Sequence, residues 1–444
     1  MFGKVIFSAA ILILINVGAL NDVAAAIAVM MMLIGIITVH SIRELKGKRP
    51  VIYILLSILC LAAASVLNRS NLFDTGTSCL KLSAMAIPFL IKDDFVKKWM
   101  LPNVQVAITL AAAISMIMYG AQFVQYKELA NIRLQSVIGY PNTACILFFT
   151  GGYLSIFMAK GKYRKHYFVM AAVNFIAAML TFSRLGLSCF ILSLSIYSLT
   201  KYPRSRSYIL VCYAIIAAAG VFFVAGGYYR LYLGPTMVNR IECWIDALKV
   251  IIKMPFGIGV GTWKELQYSV QSADYSVRAI HNSFLQIMLD GGVAAFAAIV
   301  FFILDTVKHT VKNNLLLTVA FCTIFAHAFV DMDFYFICIT FTLGIILRIE
   351  YKGQASKLKL YPVYTVTAFS ACFISMLLVP NDNGVVQRIT DEYYNAYMDN
   401  DITLMCKYSS EWIDCAPKQS SAYQAYRTSV EKAYHNENEE LKSS

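Results

Sequence analysis

The sequence predicts an all-α polytopic membrane protein, and three observations predict it. Hydrophobic residues make up 59% of the 444, against 14% charged, and the mean hydropathy is +0.62. Apolar runs of roughly 15 to 20 residues, each long enough as a helix to cross about 30 Å of hydrocarbon, recur about thirteen times. The basic residues between the runs are dense on alternate loops, as they are when successive short loops face opposite sides of a membrane.

The runs begin near Val5, Val23, Val51, Ser78, Val104, Thr143, Tyr167, Gly186, Tyr208, Phe284, Leu315, Phe334 and Pro362. The opening Met1 to Lys4 followed by apolar sequence resembles a secretion signal. Because apolar sequence continues to Val39, an uncleaved first hairpin is expected. With the N-terminus in the cytoplasm, the inner loops collect the cations, for instance Lys92, Lys97 and Lys98, then Lys160, Lys162, Arg164 and Lys165. The short outer loops hold little beyond Arg69, Lys127, Arg133 and Arg184. The expected organisation is transmembrane helices 1–9 in residues 1–226, a long extracytoplasmic loop at 227–283, helices 10–13 in 284–379, and an extracytoplasmic helical tail at 380–444. The formal charge of +12 is spread over these loops rather than gathered on one face, so no nucleic-acid partner is implied; the lipid bilayer is the partner it fits.

Most of the eleven cysteines lie inside apolar runs, where cysteine serves as a small hydrophobe. Cys406 and Cys415, on one expected helix from Asp401 to Asp414, stand about 13 Å apart along its axis, too far for a disulfide.

Within the long loop, Ile241, Trp244, Ile245, Leu248, Ile251 and Ile252 recur at helical spacing from Asn239 onward, with Arg240, Asp246, Lys249 and Lys253 mostly on the other side. Asn239 with Glu242 resembles a capping pair, and Pro255 with Gly257 ends the helix. Such a helix suits the outer leaflet, apolar face down. Arg240 in its first turn would form an anion site, combining a helix N-terminus with a guanidinium. The run Gly257-Ile-Gly259-Val-Gly261 follows a helix rather than a strand, so it is expected to be a flexible turn and not a nucleotide site. Asp331-Met-Asp333 has the spacing of a metal pair but no third ligand nearby, which favours a solvated turn or a supporting role behind the reacting groups.

Arg184, Arg240 and His281 remain as the candidate catalytic constellation. Singly, Arg184 reads as a cation reaching the headgroups and His281 as an interfacial hydrogen-bonding residue. Together on one side of a membrane, two cations and an imidazole suit displacement of a lipid diphosphate. The arginines would neutralise the leaving diphosphate, and His281 would take a proton from the attacking hydroxyl. Neither a metal nor a cofactor is called for.

The order of motifs resembles the O-antigen ligase and O-antigen polymerase superfamily. The residues concerned are Arg240-Ile-Glu-Cys-Trp244, Pro255-Phe-Gly257-Ile-Gly259-Val-Gly261, and His281-Asn282-Ser283-Phe-Leu-Gln286 followed by Gly291-Gly292. Gly139-Tyr-Pro141-Asn142, Ser183-Arg184 and His327-Ala-Phe-Val-Asp331 also resemble its landmarks. The resemblance implies a metal-independent, inverting glycosyltransferase of the cytoplasmic membrane. It would move a glycan from an undecaprenyl-diphosphate carrier to a hydroxyl on a glycan, lipid or protein acceptor. By the same resemblance His281 would be the base, Arg184 and Arg240 the diphosphate-binding arginines, and Arg278, Asn282, Asn142 and Trp244 weaker candidates for substrate contact. The thirteenth span and the tail depart from the usual pattern and leave the acceptor open. Polymerisation of lipid-linked repeat units is the alternative, and a transporter of lipid-linked sugars a more distant one.

Overall fold

The computed structural model describes residues 2–18, 21–39, 48–126, 133–134, 136–202, 207, 235–310, 314–349, 351, 360–377 and 385–443, and every regular element among them is helical. The predicted span from Tyr208, loop residues 227–234 and Lys127 lie outside the described residues. Every other predicted run coincides with a helix. In chain order these are α1 (Phe2–Asn16), α2 (Asp22–Val39), α3 (Pro50–Leu67), α4 (Leu72–Ala86), α5 (Leu101–Tyr126), α6 (Pro141–Met158), α7 (Arg164–Leu180) and α8 (Arg184–Lys201). The long loop contributes α9 (Pro235–Lys253) and α10 (Trp263–Val270), and the chain continues through α11 (Ser283–Thr310), α12 (Leu315–Ala328), α13 (Ile337–Ile349) and α14 (Leu360–Leu377). The tail forms α15 (Val385–Met398), α16 (Ile402–Cys415) and α17 (Ser420–Ser443).

Among the described residues, four segments, Pro50–Leu67, Asp93–Gln122, Pro141–Met158 and Ser283–His309, are long and apolar enough to cross a membrane, and five shorter apolar helices accompany them. The chain is thus a multi-pass membrane protein. α3 lies along α11 and α4 along α13 and α14, while α6 sits between α7 and α12. One hydrophobic core runs through them all. Helix ends follow local chemistry: Pro50 and Pro141 occupy first positions, where a missing N–H costs nothing, and Ser183 and Asn314 cap α8 and α12 with side-chain oxygens.

α9 begins at Pro235, four residues before the expected capping pair, so Arg240 lies in its second turn rather than its first. The signal was a proline at a first helical position. Asn239 instead donates its amide to the Asp274 carbonyl at 3.1 Å. The apolar residues of α9 divide into two ridges. Cys243, Ala247, Val250 and Ile251 pack on Ile258, Trp263, Tyr275, Ile280 and Leu289 in a second core. Ile241, Ile245, Leu248 and Ile252 stay exposed at helical spacing, with Phe256 beyond them, a ridge fit for lipid.

The glycine run is a pinned turn, not a flexible one. Gly257, Gly259 and Gly261 all have positive φ, and Gly292 interrupts α11 at φ +79 and ψ 177. The two irregular stretches dock backbone to backbone: Ile258 N–H donates to Leu289 O at 2.9 Å, Gly259 N–H to Asp290 O at 3.0 Å, and Val293 N–H to Pro255 O at 2.9 Å. The helical carbonyls freed by the break therefore find donors in the loop, as buried backbone requires. A Cβ on Gly292 would stand 2.5 Å from the Phe256 carbonyl carbon.

In the tail, α15, α16 and α17 pack as consecutive antiparallel neighbours around Tyr393, Met405, Trp412 and Ala422. Cys406 and Cys415 are both free thiols. Gly292→Ala should lower stability by about 1 to 3 kcal/mol, because it combines a backbone conformation reserved for glycine with a clash. Thermal unfolding in detergent reads the loss; an unchanged melting temperature would show that the docked turn does not hold α11.

Candidate active site

The turn between α12 and α13 sets the geometry. Its backbone is stitched to the start of α11: Ser283 donates both its N–H (3.1 Å) and its Oγ–H (2.9 Å) to the Asp331 carbonyl, and Ser283 Oγ accepts from Phe334 N–H at 3.1 Å. Asp331 itself is fully buried, which corrects the solvated-turn alternative and leaves the supporting role. A buried carboxylate must be paired and hydrogen-bonded. Here Tyr140 Oη donates at 2.9 Å to Oδ1, Asn142 Nδ2 at 2.9 Å to Oδ2, and Met332 N–H at 2.8 Å to Oδ1. His281 Nδ1 stands 3.2 Å from Oδ1, and Arg240 Nη2 stands 3.4 Å from Oδ2.

These contacts hold Asp331 as an anion. Burial pushes its carboxyl up, but the hydrogen bond from His281 and then the charges of His327 and Arg240 outweigh burial and leave it well below the usual carboxylate range. Tyr140 moves the other way. Burial, and then the Asp331 charge, raise its phenol above the usual range, so it remains a donor. With an ionised acceptor at Nδ1, the proton of neutral His281 sits on Nδ1, and Nε2 keeps the lone pair that a base needs.

His281 is presented at φ +40, left-handed backbone that a non-glycine residue adopts at a cost. Both sides of the preceding residue are clamped. Trp244 Nε1 donates to the Ile280 carbonyl at 2.7 Å, and the Ile280 N–H donates to Gln286 Oε1 at 3.0 Å. Trp244 therefore shapes the loop that carries the imidazole, and Asn282 caps α11 by accepting from Phe284 and Leu285 N–H.

Arg240 also donates Nη1 to the Val330 carbonyl at 3.1 Å. A guanidinium has five N–H donors, so others are left for an anion. Arg184 stands exposed at the first turn of α8, beside Arg133. Arg133 ties that side to the carboxylate, donating Nη2 to Asn142 Oδ1 at 2.9 Å and Nε to the Thr181 carbonyl at 3.0 Å. Desolvation, and then the charge of Arg184, lower the Arg133 pKa. His281, Arg240 and Asn142 thus meet directly on Asp331, while Arg184 approaches through Arg133. Arg278 lines a cavity of about 80 Å³ that also touches Ser283, Met332 and Asp290.

Asp333 has hydrogen-bond partners of its own. It accepts from Thr143 Oγ1 at 2.9 Å and pairs with His327 Nδ1 at 2.6 Å, all within the buried interior. The two aspartates thus serve two different histidines and do not converge on a common point. Asp331, Tyr140 and Arg133 were not among the candidate residues. His327-Ala-Phe-Val-Asp331 and Tyr140-Pro-Asn142 were the available signals.

Residues 168–303 match the family model described as O-Antigen ligase. The match runs from α7 into α11 and takes in Arg184, Arg240 and His281, so it supports the superfamily that the motifs resembled. No curated protein matches the chain.

Asp331→Ala should cost about 3 to 5 kcal/mol, because it strands a largely buried guanidinium. The pH dependence has a definite sign. A carboxyl whose folded pKa is depressed contributes stability above its unfolded pKa of about 3.9 and loses it as pH falls through the folded value. The difference in melting temperature between wild type and Asp331→Asn should therefore be full at neutral pH and shrink below about pH 4. A pH-independent difference would mean that Asp331 is not held as an anion.

Proposed function

We propose, taking membership of the O-antigen ligase and polymerase superfamily as the premise, that this protein transfers a glycan from undecaprenyl diphosphate to an acceptor hydroxyl at the outer face of the cytoplasmic membrane. The observation that carries the reading is the Asp331 carboxylate, which touches His281 on one oxygen and Arg240 on the other.

In this reading His281 Nε2 removes the proton of the acceptor hydroxyl as its oxygen attacks the anomeric carbon. The bond from that carbon to the diphosphate breaks in the same displacement. Undecaprenyl diphosphate leaves with the electron pair, and attack opposite the leaving group inverts the anomeric centre. Asp331 steadies the imidazolium that forms. Arg240 and Arg184 face the growing charge on the diphosphate, where preorganised donors are worth most. The positive charge comes from guanidinium groups, so the proposed reaction is metal-independent.

The membrane arrangement belongs to the same proposal: thirteen spans, a cytoplasmic N-terminus, and the 227–283 loop and the tail outside. The exposed ridge from Ile241 to Ile252 would rest α9 on the outer leaflet, holding Arg240 at headgroup depth, where a lipid diphosphate lies. Ligation and polymerisation share donor and leaving group, and the acceptor separates them. The interruption of α11 at Gly292 is bonded backbone to backbone with the Pro255–Gly259 stretch, which favours an enzyme over a transporter built on broken helices.

The test is release of undecaprenyl diphosphate from lipid-linked oligosaccharide by the purified protein in liposomes with chelator. Wild type should release it and His281→Ala should not, and product length distinguishes a polymer from a single ligation. Arg240→Ala should lower the rate by about 10² to 10³. Arg240→Lys should also be impaired, because a compact ammonium cannot reproduce the planar fork. Release that survives in His281→Ala would remove the imidazole from the chemistry.

A further inference from the structure

The tail docks on the loop that carries the site. The α15 N-terminus donates Val385 N–H to Glu265 Oε2 at 3.1 Å, and the α17 N-terminus donates Ser420 N–H to Asp274 Oδ2 at 3.2 Å. Between these anchors, the Tyr268 ring packs into the tail's own core, and its hydroxyl meets Ser276 Oγ at 2.9 Å. Two hydrogen-bonded helix ends and a shared aromatic fix the tail against α10 and the loop that follows it.

The junction encloses a polar cleft of about 380 Å³, within the roughly 300 to 1,000 Å³ of small-molecule sites. Gln387 and Asp391 of α15 form one wall, and Lys264, Glu265, Tyr268 and Arg278 belong to the other. Lys264 and Arg278 also line the smaller cavity that reaches Ser283 and Met332, beside Asp331. Lys264 and Arg278 thus stand between the two spaces, with the cleft on the tail side and the smaller cavity on the side of Ser283 and Met332.

The lining indicates what the cleft takes. Two cations, Lys264 and Arg278, meet two carboxylates, Glu265 and Asp391. Lys264 is also paired to Asp74 at 3.1 Å, and Asp391 accepts from Gln387 at 2.9 Å. A charge-balanced wall offers no excess positive field for a phosphate or a lipid headgroup. It does offer many donors and acceptors beside an aromatic ring, which suits a polyhydroxylated chain.

We propose that the C-terminal helices α15–α17 complete an oligosaccharide subsite in which Gln387 and Asp391 bind sugar units remote from the bond that breaks. The assignment rests on the glycan-transfer reading and deepens it: the tail makes the enzyme selective for glycan chains and not for the lipid diphosphate alone.

The probe is a printed array of bacterial oligosaccharides with control peptides, overlaid with the full-length protein in nanodiscs. Wild type and His281→Ala should bind the same subset of glycans. Gln387→Ala/Asp391→Ala should bind them about tenfold more weakly, the loss of roughly one good hydrogen bond. Arg388→Ala, exposed on the same helix but not on the cleft, should bind as wild type. Gln387 and Asp391 are both exposed, and an unchanged melting temperature verifies folding of the double variant. An array without bound glycans, equal binding by the double variant, or binding to the peptides alone would overturn the subsite. Glycan binding does not require turnover. Array binding without diphosphate release by wild type would overturn the transfer reaction and leave the cleft standing.

Discussion

The buried Asp331 carboxylate is the constraint on which the site depends. Four parts of the chain remote in sequence place groups on it: the start of α6 with Tyr140 and Asn142, α9 with Arg240, the loop before α11 with His281, and its own turn. None of these segments fixes the others alone. An anion in a low-dielectric interior is tolerated only when every lone pair is answered, so the loss of any donor leaves a local charge imbalance. The same requirement that stabilises the fold sets the tautomer of the imidazole. Stability and reactivity are here two readings of one hydrogen-bond network.

The packing beneath this network supplies rigidity at two levels. Near the loop, Trp263, Tyr275 and Ile280 form a small core that locks α9 to the residues before α11. Asp246 adds a polar pin, accepting from Ser272 N–H, Ser272 Oγ and Tyr275 Oη. Deeper in, the His327, Asp333 and Thr143 cluster ties α12 to α6 below the site. An imidazole held at strained backbone torsions needs such support, since the strain would otherwise relax and turn the ring away.

Much of this was legible in the sequence, and the failures have physical causes. Apolar runs mark helices well because hydrocarbon permits little else, so the positions of α1 to α8 and α11 to α14 followed from composition. His281 and Arg240 stood out because they lie within the one long break in the apolar pattern. Asp331 did not, because sequence shows a carboxylate but not its desolvation; beside Asp333 it looked like a wet turn. The glycine run suggested mobility, since free φ reads as freedom, whereas these glycines are what let two backbones approach. Arg184 was legible as a cation at a span boundary, but its neighbour Arg133 and that residue's tie to Asn142 depended on packing that no spacing reveals.

The interruption of α11 has a mechanical meaning. The helix that follows Gly292 is long enough to feel the bilayer, whose thickness and lateral pressure tilt and shift spanning helices. The short stretch before Gly292, which leads into His281, is fastened to the Pro255–Gly261 turn and through it to α9. The break at Gly292 therefore separates the long apolar segment from the short one that follows His281, while the Val293 bond to Pro255 ties the long segment to the same turn. Any tilt of the long segment must then pass through backbone that is bonded on both sides of the break before it reaches His281.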